Sequence, residues 1–166
     1  MTTCAWLDNL VGKPLSGVNY AADMAMIGFG RGPLVERRGK TIQLSEWDLH
    51  LQCPWRFVRD GSVILASTDF HYDAATGEPC DRDEVRKSVF YANRNSLLDR
   101  LEQTPVTVVS LAKKSAGAFD VIFERELELN VLPTCSQNFH ALEEWRLFQP
   151  GKDANHFVYP VGSDGE

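Results

Sequence analysis

A run of alternating side chains in the first half of the chain constrains the fold more than any other feature. From Trp47 to Phe57 every second residue is apolar, and mostly polar residues lie between them. A period of two is typical of an antiparallel strand with one buried and one solvated face. Because Pro54 has no N–H group, we expect this strand to lie at a sheet edge or to bulge there. The sequence therefore predicts a sheet-based core.

A two-residue turn is predicted directly after this strand. Asp60-Gly61 is typical of a tight β-hairpin connection. We expect the partner strand to run from Ser62 to about Tyr72, with Val58 opposite Val63. Carried outward, this register keeps the apolar residues of both strands on one face, which supports the prediction.

The other face of the predicted hairpin gathers two imidazoles and three carboxylates, from Asp48, His50, Asp69, His71 and Asp73. The register places His50 opposite His71, and directly opposed Cβ atoms lie about 5 Å apart. Two histidines with a carboxylate suit a divalent transition metal, and a carboxylate beside a histidine suits general acid–base chemistry. The same residues also suit a solvated hairpin face or a partner-binding patch. We therefore treat them as a candidate polar cluster or metal site.

A second alternating stretch, from Phe119 to Val131, is predicted to form one long strand. Arg125 interrupts its inner apolar row. Its outer row carries four carboxylates, from Asp120, Glu124, Glu126 and Glu128. Such a row is usually a solvated surface, and the alternative is a docking face for a protein partner with a basic surface.

The remaining segments complete an α+β fold in which a strand-rich, mostly antiparallel sheet could curve toward a barrel. We expect a short N-terminal helix over 3–11, strands over 20–29 and 106–112, one main helix over 81–103, a helical turn within 134–144 and a terminal hairpin around Pro150-Gly151. The length predicts a single domain over 1–166, with a flexible tail at 161–166.

Composition narrows the classes of function. With 23 acidic and 17 basic residues, the net charge of −6 disfavours nucleic-acid binding and a membrane-surface role. No apolar run approaches the roughly 20 residues of a membrane span, and the N-terminus lacks a signal-peptide pattern. The four cysteines are far apart and form no C-x-x-C motif, so we expect reduced thiols in a cytoplasmic protein.

The segment from Trp47 to Arg56 resembles that of small uncharacterised bacterial proteins with a W-x-L-H-x-Q-C-x-W-R pattern. Asp69, in the next predicted strand, fits the same picture. The resemblance implies a bacterial cytosolic origin, and because no established activity belongs to it, it implies no catalytic residue. In class rather than in motif, a small acidic α+β chain also resembles the immunity proteins of bacterial toxin systems.

Three functions follow as expectations. The first is a non-enzymatic binding protein of the immunity or accessory type that recognises another protein. The second is a small metal-binding protein or metal-dependent enzyme, in which a divalent metal bound by the His/Asp cluster would be the only cofactor. The third is a small-ligand carrier with an aromatic pocket inside a curved sheet, for which Trp47, Trp55 and Trp145 are candidate floor residues. The sequence leaves the oligomeric state open.

Overall fold

Two antiparallel five-stranded sheets dominate the computed structural model, which describes residues 3–134, 143–152 and 156–160. The strands are β1 (Leu15–Ala21), β2 (Met24–Phe29), β3 (Leu34–Arg37), β4 (Lys40–Gln43), β5 (Trp47–Leu51), β6 (Trp55–Arg59), β7 (Ser62–Ala66), β8 (Val108–Lys113), β9 (Phe119–Phe123), β10 (Leu127–Val131), β11 (Trp145–Phe148) and β12 (His156–Tyr159). The helices are α1 (Thr3–Leu7), α2 (Val89–Gln103) and three 3₁₀ segments, Asp8–Leu10, Ser67–His71 and Arg82–Lys87.

The two sheets share one hydrophobic core. The strand order is β1-β2-β5-β11-β12 in the first sheet and β7-β6-β10-β9-β8 in the second, while β3 and β4 form a separate hairpin. Phe29 of the first sheet stacks on Phe123 of the second, with ring centroids 6.2 Å apart. The predicted antiparallel, strand-rich α+β fold is confirmed, and among the described residues the sheets do not close into a barrel.

Helix α2 packs against β1 and β7, which are edge strands of different sheets. Phe90, Leu97 and Leu101 form its buried face. The helix ends at Gln103, as the sequence predicts, and Thr104 and Pro105 follow it. It therefore bridges the two sheets and positions side chains at both of its ends.

The predicted strand from Trp47 to Phe57 is wrong in one respect, because the chain changes sheets within it. Strand β5 belongs to the first sheet and β6 to the second. Between them, the N–H groups of Gln52 and Cys53 both donate to the carbonyl of Glu144, at 2.8 and 3.1 Å. Pro54 cannot donate, and its carbonyl accepts from the N–H of Leu132. The alternation continues across the break because both strands bury residues in the same core.

The Asp60-Gly61 turn and the Val58–Val63 pair are confirmed, but the predicted register beyond them is wrong. A bulge after Phe57 shifts its partner to Leu65, and the chain leaves β7 at Ala66. The predicted strand to Tyr72 is instead the 3₁₀ segment Ser67–His71. Short polar side chains there compete with the ladder, since the Asp69 carboxylate accepts from the N–H of Ala66 at 2.9 Å.

The predicted long strand from Phe119 to Val131 is also wrong, because β9 and β10 form a hairpin in which Asp120 pairs with Asn130. Arg125 and Glu126 form its turn with φ angles of 60° and 57°. Turns with two positive φ angles usually contain Asn or Gly, so the sequence carries no recognisable turn signal here.

Three further predictions are corrected or confirmed in part. The main helix does not begin at Asp81, because Ser88 is extended and separates the 3₁₀ segment from α2. The strand over 20–29 is the end of β1 followed by β2, with a turn at Ala22-Asp23. The terminal hairpin is confirmed by β11 and β12. The predicted tail at 161–166 and most of the predicted helical turn within 134–144 lie outside the described residues.

Candidate functional site

The structure does not bring the predicted His/Asp cluster together. His50 lies in β5 opposite Met26 and Arg146, whereas His71 ends a 3₁₀ segment that belongs to neither sheet. Asp73 pairs with Ser88 in an isolated bridge. Across residues 3–134, 143–152 and 156–160, no three His, Cys, Asp or Glu side chains are grouped so that they could hold a metal ion. The register error explains this outcome, because the proposed metal site depended on the pairing of His50 with His71.

Two carboxylates of that cluster instead accept hydrogen bonds from nearby backbone N–H groups. Asp69 accepts from the N–H of Ala66 and from Asn93 Nδ2, at 2.9 and 3.3 Å. Asp73 accepts from the N–H groups of Thr76 and Ala75, and these bonds lower the pKa of its carboxyl group. Both carboxylates therefore have a structural role, because they stabilise local turns.

Asp48 and His50 lie on the outer face of the first sheet. Burial raises the pKa of Asp48, and a hydrogen bond from Ser45 opposes that shift. Burial lowers the pKa of His50, the positive charge of Arg146 lowers it further, and the carboxylate of Glu143 raises it. The His50 pKa therefore favours a neutral imidazole, which packs edge-on against Phe148 at 4.7 Å.

The four acidic residues predicted as a partner face do not form a row on one strand. Asp120 is only 9% exposed and accepts hydrogen bonds from Asn130 and Lys114. Glu124 and Glu126 lie at the β9–β10 turn, where Glu124 accepts from the N–H of Thr107. Glu128 lies in β10 opposite Ile122. The hairpin thus divides the predicted face.

An open pocket that the sequence did not reveal lies beside the first turn of α2. We call it the aromatic pocket; its volume is about 350 Å³. It is lined by Tyr20, Ala21, Ala22, Asp23, Phe70, His71, Cys80, Asp81, Val85 and Tyr91. The three tryptophans predicted as a pocket floor are instead buried in the core.

Stacked rings form the wall of the aromatic pocket. Phe70 lies between Tyr20 and Phe90, with centroid distances of 3.5 and 3.8 Å. Tyr91 meets Phe70 edge-on at 6.3 Å. Since Phe90 is fully buried, this wall is anchored directly in the core.

The rim of the aromatic pocket is acidic. Asp23 and Asp81 are both exposed, and neither carboxylate takes part in the ion pairs found among the described residues. Cys80 also lines the pocket, where desolvation and the negative charges of Asp73 and Glu84 raise the pKa of its thiol. A raised pKa keeps this sulfur protonated and therefore weakly nucleophilic.

Sequence reasoning missed this pocket because its aromatic residues are widely separated along the chain. Tyr20 lies near the end of β1, Phe70 lies in a 3₁₀ segment and Tyr91 lies in the first turn of α2. No motif connects them, and only the packing of α2 against β1 brings them together.

Comparisons with known proteins found no matching family model, no similar curated protein and no similar solved structure.

Proposed function

We propose that this chain is a cytoplasmic, non-enzymatic binding protein whose aromatic pocket receives a lysine or arginine side chain of a partner protein. The observation that supports this proposal is the combination of aromatic walls with two exposed rim carboxylates, from Asp23 and Asp81. The immunity or accessory class expected from the sequence is compatible with such a site. The proposed partner-binding surface is therefore this pocket and not the predicted acidic strand.

Elementary electrostatics favours a cationic occupant. A cation over an aromatic face gains about 0.5 to 2 kcal/mol, depending on its desolvation. The rim carboxylates add attraction at the contact, and the net charge of −6 steers a basic partner from a longer distance. A volume of about 350 Å³ accommodates one long side chain and falls within the range of small ligand sites.

The polar groups of the pocket support binding rather than catalysis. The Cys80 thiol has a raised pKa, so it is a poor nucleophile at neutral pH. His71 is exposed, and its imidazole has no hydrogen-bond partner among the described side chains that could orient it as a general base.

The size of the pocket also supports the third expectation, a small-ligand carrier. Its occupant would then be a small organic cation, because the same walls and carboxylates would recognise it. The pocket lies beside the β1–β2 turn and the start of α2 rather than inside a curved sheet. Choline separates this alternative from a protein side chain in a binding assay.

The test uses two decapeptides that differ only in the charge of the central residue. One carries arginine between glycine and serine residues, and the other carries neutral citrulline. We expect the arginine peptide to shift the amide resonances of Phe70 and Tyr91 saturably at low salt, and the citrulline peptide to leave them in place. The double variant Asp23→Asn/Asp81→Asn should weaken binding about tenfold, or about 1.4 kcal/mol.

The matched control removes the same two charges from the exposed face of α2, as Asp99→Asn/Glu102→Gln. This control should bind the arginine peptide within about twofold of the wild-type affinity. Equal weakening in both double variants would show that peptide affinity depends on net charge alone, and it would refute specific binding in the pocket. Saturable binding of choline without binding of the arginine peptide would favour the carrier.

A further inference from the structure

A second cavity, of about 280 Å³, lies at the opposite end of α2 and carries the opposite charge. We call it the arginine pocket; it is lined by Arg59, Arg100, Gln103, Thr104 and Arg125. All five side chains contain a hydrogen-bond donor, and none is acidic. Three arginines thus line one cavity in a protein whose net charge is −6.

The three arginines come from three different elements. Arg59 ends β6, Arg100 lies in the last turn of α2 and Arg125 lies in the β9–β10 turn. A single arginine near the last turn of a helix is explained by the helix dipole, whose C-terminal end carries about half a negative charge. Three positive charges exceed that requirement, so the fold concentrates more positive charge here than the helix needs.

One nitrogen of the Arg59 guanidinium lacks a hydrogen-bond partner within the described ranges. Its Nε atom is buried and has no partner among the described residues, which is an unfavourable state for a charged donor. None of the ion pairs in the described part of the chain includes Arg59, Arg100 or Arg125. A ligand that accepts hydrogen bonds would satisfy this buried donor.

The nearest acidic residues in sequence do not line the pocket. Asp60 follows Arg59 and Glu126 follows Arg125, yet these two carboxyl groups hydrogen-bond to each other. The backbone at Arg125 has a φ of 60°, which is unfavourable for a residue with a side chain. An asparagine or glycine would fit this turn better, whereas an arginine places a charge beside the cavity.

We propose that the arginine pocket binds a doubly charged phosphate group, either as free phosphate or as the phosphomonoester of a small molecule. Guanidinium groups bind phosphate through paired, charge-assisted hydrogen bonds, and three arginines line this cavity. A dianion neutralises three guanidinium groups better than a single carboxylate does. Gln103 and Thr104 supply neutral donors, and the cavity leaves space for an organic substituent.

This site is independent of the proposed function. Tyr91 and Thr104 mark the two pockets and lie about 20 Å apart along α2, at about 1.5 Å per residue. Substitutions in one pocket therefore leave the side chains of the other in place, and the two proposals can fail separately.

The experiment titrates the full chain with inorganic phosphate and with phenyl phosphate while NMR follows the side-chain Nε–Hε resonance of Arg59. Chloride and acetate at the same ionic strength are the reference anions. We expect saturable shifts with a dissociation constant below about 1 mM for at least one phosphate probe, and none for the reference anions. Tighter binding of phenyl phosphate would assign the site to phosphomonoesters, and binding of inorganic phosphate alone would assign it to the free ion.

Variants of the two exposed arginines avoid disturbing the half-buried Arg59. Arg100→Gln and Arg125→Gln should each weaken phosphate binding about tenfold. Arg37→Gln removes the same charge from an exposed position in β3 and should change the affinity less than about twofold. Thermal melting of each variant verifies that it is folded. The absence of saturable shifts up to about 10 mM phosphate, equal weakening in all three variants, or equal shifts with acetate would overturn the proposal.

Discussion

The carboxyl groups of Asp60 and Glu126 join two tight turns of the second sheet through a hydrogen bond. That bond and the negative charge of Asp60 raise the pKa of Glu126. An acid whose pKa is higher in the folded than in the unfolded chain stabilises the fold fully below its unfolded pKa, and this contribution is lost as the pH rises through the raised pKa. Once Glu126 is ionised, the two turns therefore hold like charges close together.

Replacing Glu126 by glutamine should relieve this repulsion. Glu126→Gln should melt at a higher temperature than the wild type at neutral pH, because the amide donates to Asp60 without carrying a charge. At about pH 3 the difference should disappear, since the pKa of Glu126 is raised and its carboxyl group is then protonated. Glu128→Gln, which removes a charge from β10, is the control and should melt closer to the wild type. An unchanged melting temperature for Glu126→Gln at neutral pH would contradict the repulsion.

At the scale of single elements, apolar alternation predicts which residues face the core but not which sheet a strand joins. Leu49 in β5 and Phe57 in β6 are both fully buried, so the pattern continues through the crossing at Pro54. Pro54 itself was recognised as a point of interruption. The change of sheet depends on long-range hydrogen bonds to Glu144 and Leu132, which local sequence does not encode.

Turns were predictable where a residue type specifies the backbone conformation. Gly61 has a φ of 74°, and the Asp60-Gly61 turn was predicted correctly. Arg125 adopts a φ of 60° without being glycine or asparagine, so the sequence carries no signal for its hairpin and predicts the acidic row on one strand. The His/Asp cluster is separated for a different reason, the bulge after Phe57 and the 3₁₀ segment that follows β7. Both candidate sites depended on register rather than on a motif.

The turn between β8 and β9 brings the second sheet into close contact with the first. Gly117 has a φ of 72°, and a Cβ atom at this position would overlap the ring of Tyr159 in β12. The carbonyl of Gly117 also accepts a hydrogen bond from Trp145 Nε1 at 3.1 Å. Through these contacts, the turn links an edge of the second sheet to the first sheet.

Gly117→Ala should destabilise the protein by about 3 kcal/mol, through an unfavourable φ and a steric overlap with Tyr159. Gly39→Ala is the matched control, because Gly39 has nearly the same φ of 71° and open space around it. The control should lose only about 1 kcal/mol in urea unfolding. Equal losses in the two variants would show that the overlap with Tyr159 is relieved without cost.

At the scale of the whole molecule, α2 separates two surfaces of opposite charge. Carboxylates from Asp23 and Asp81 lie near its first turn, and guanidinium groups from Arg59 and Arg125 lie near its last turn. This arrangement complements the helix dipole, which attracts negative charge to the N-terminal end and positive charge to the C-terminal end. Part of the charge separation therefore stabilises the helix, while the open cavities leave the same charges accessible to ligands.

The shared core predicts that the two sheets unfold together. Leu49 of the first sheet and Leu129 of the second are both fully buried in one hydrophobic cluster. Leu49→Ala and Leu129→Ala should each cost about 3 kcal/mol, and each should shift a single unfolding transition. Circular dichroism and tryptophan fluorescence should report the same midpoint, because Trp55 and Trp145 lie in different sheets that share the core. A second transition in either variant would show instead that the sheets are separate folding units.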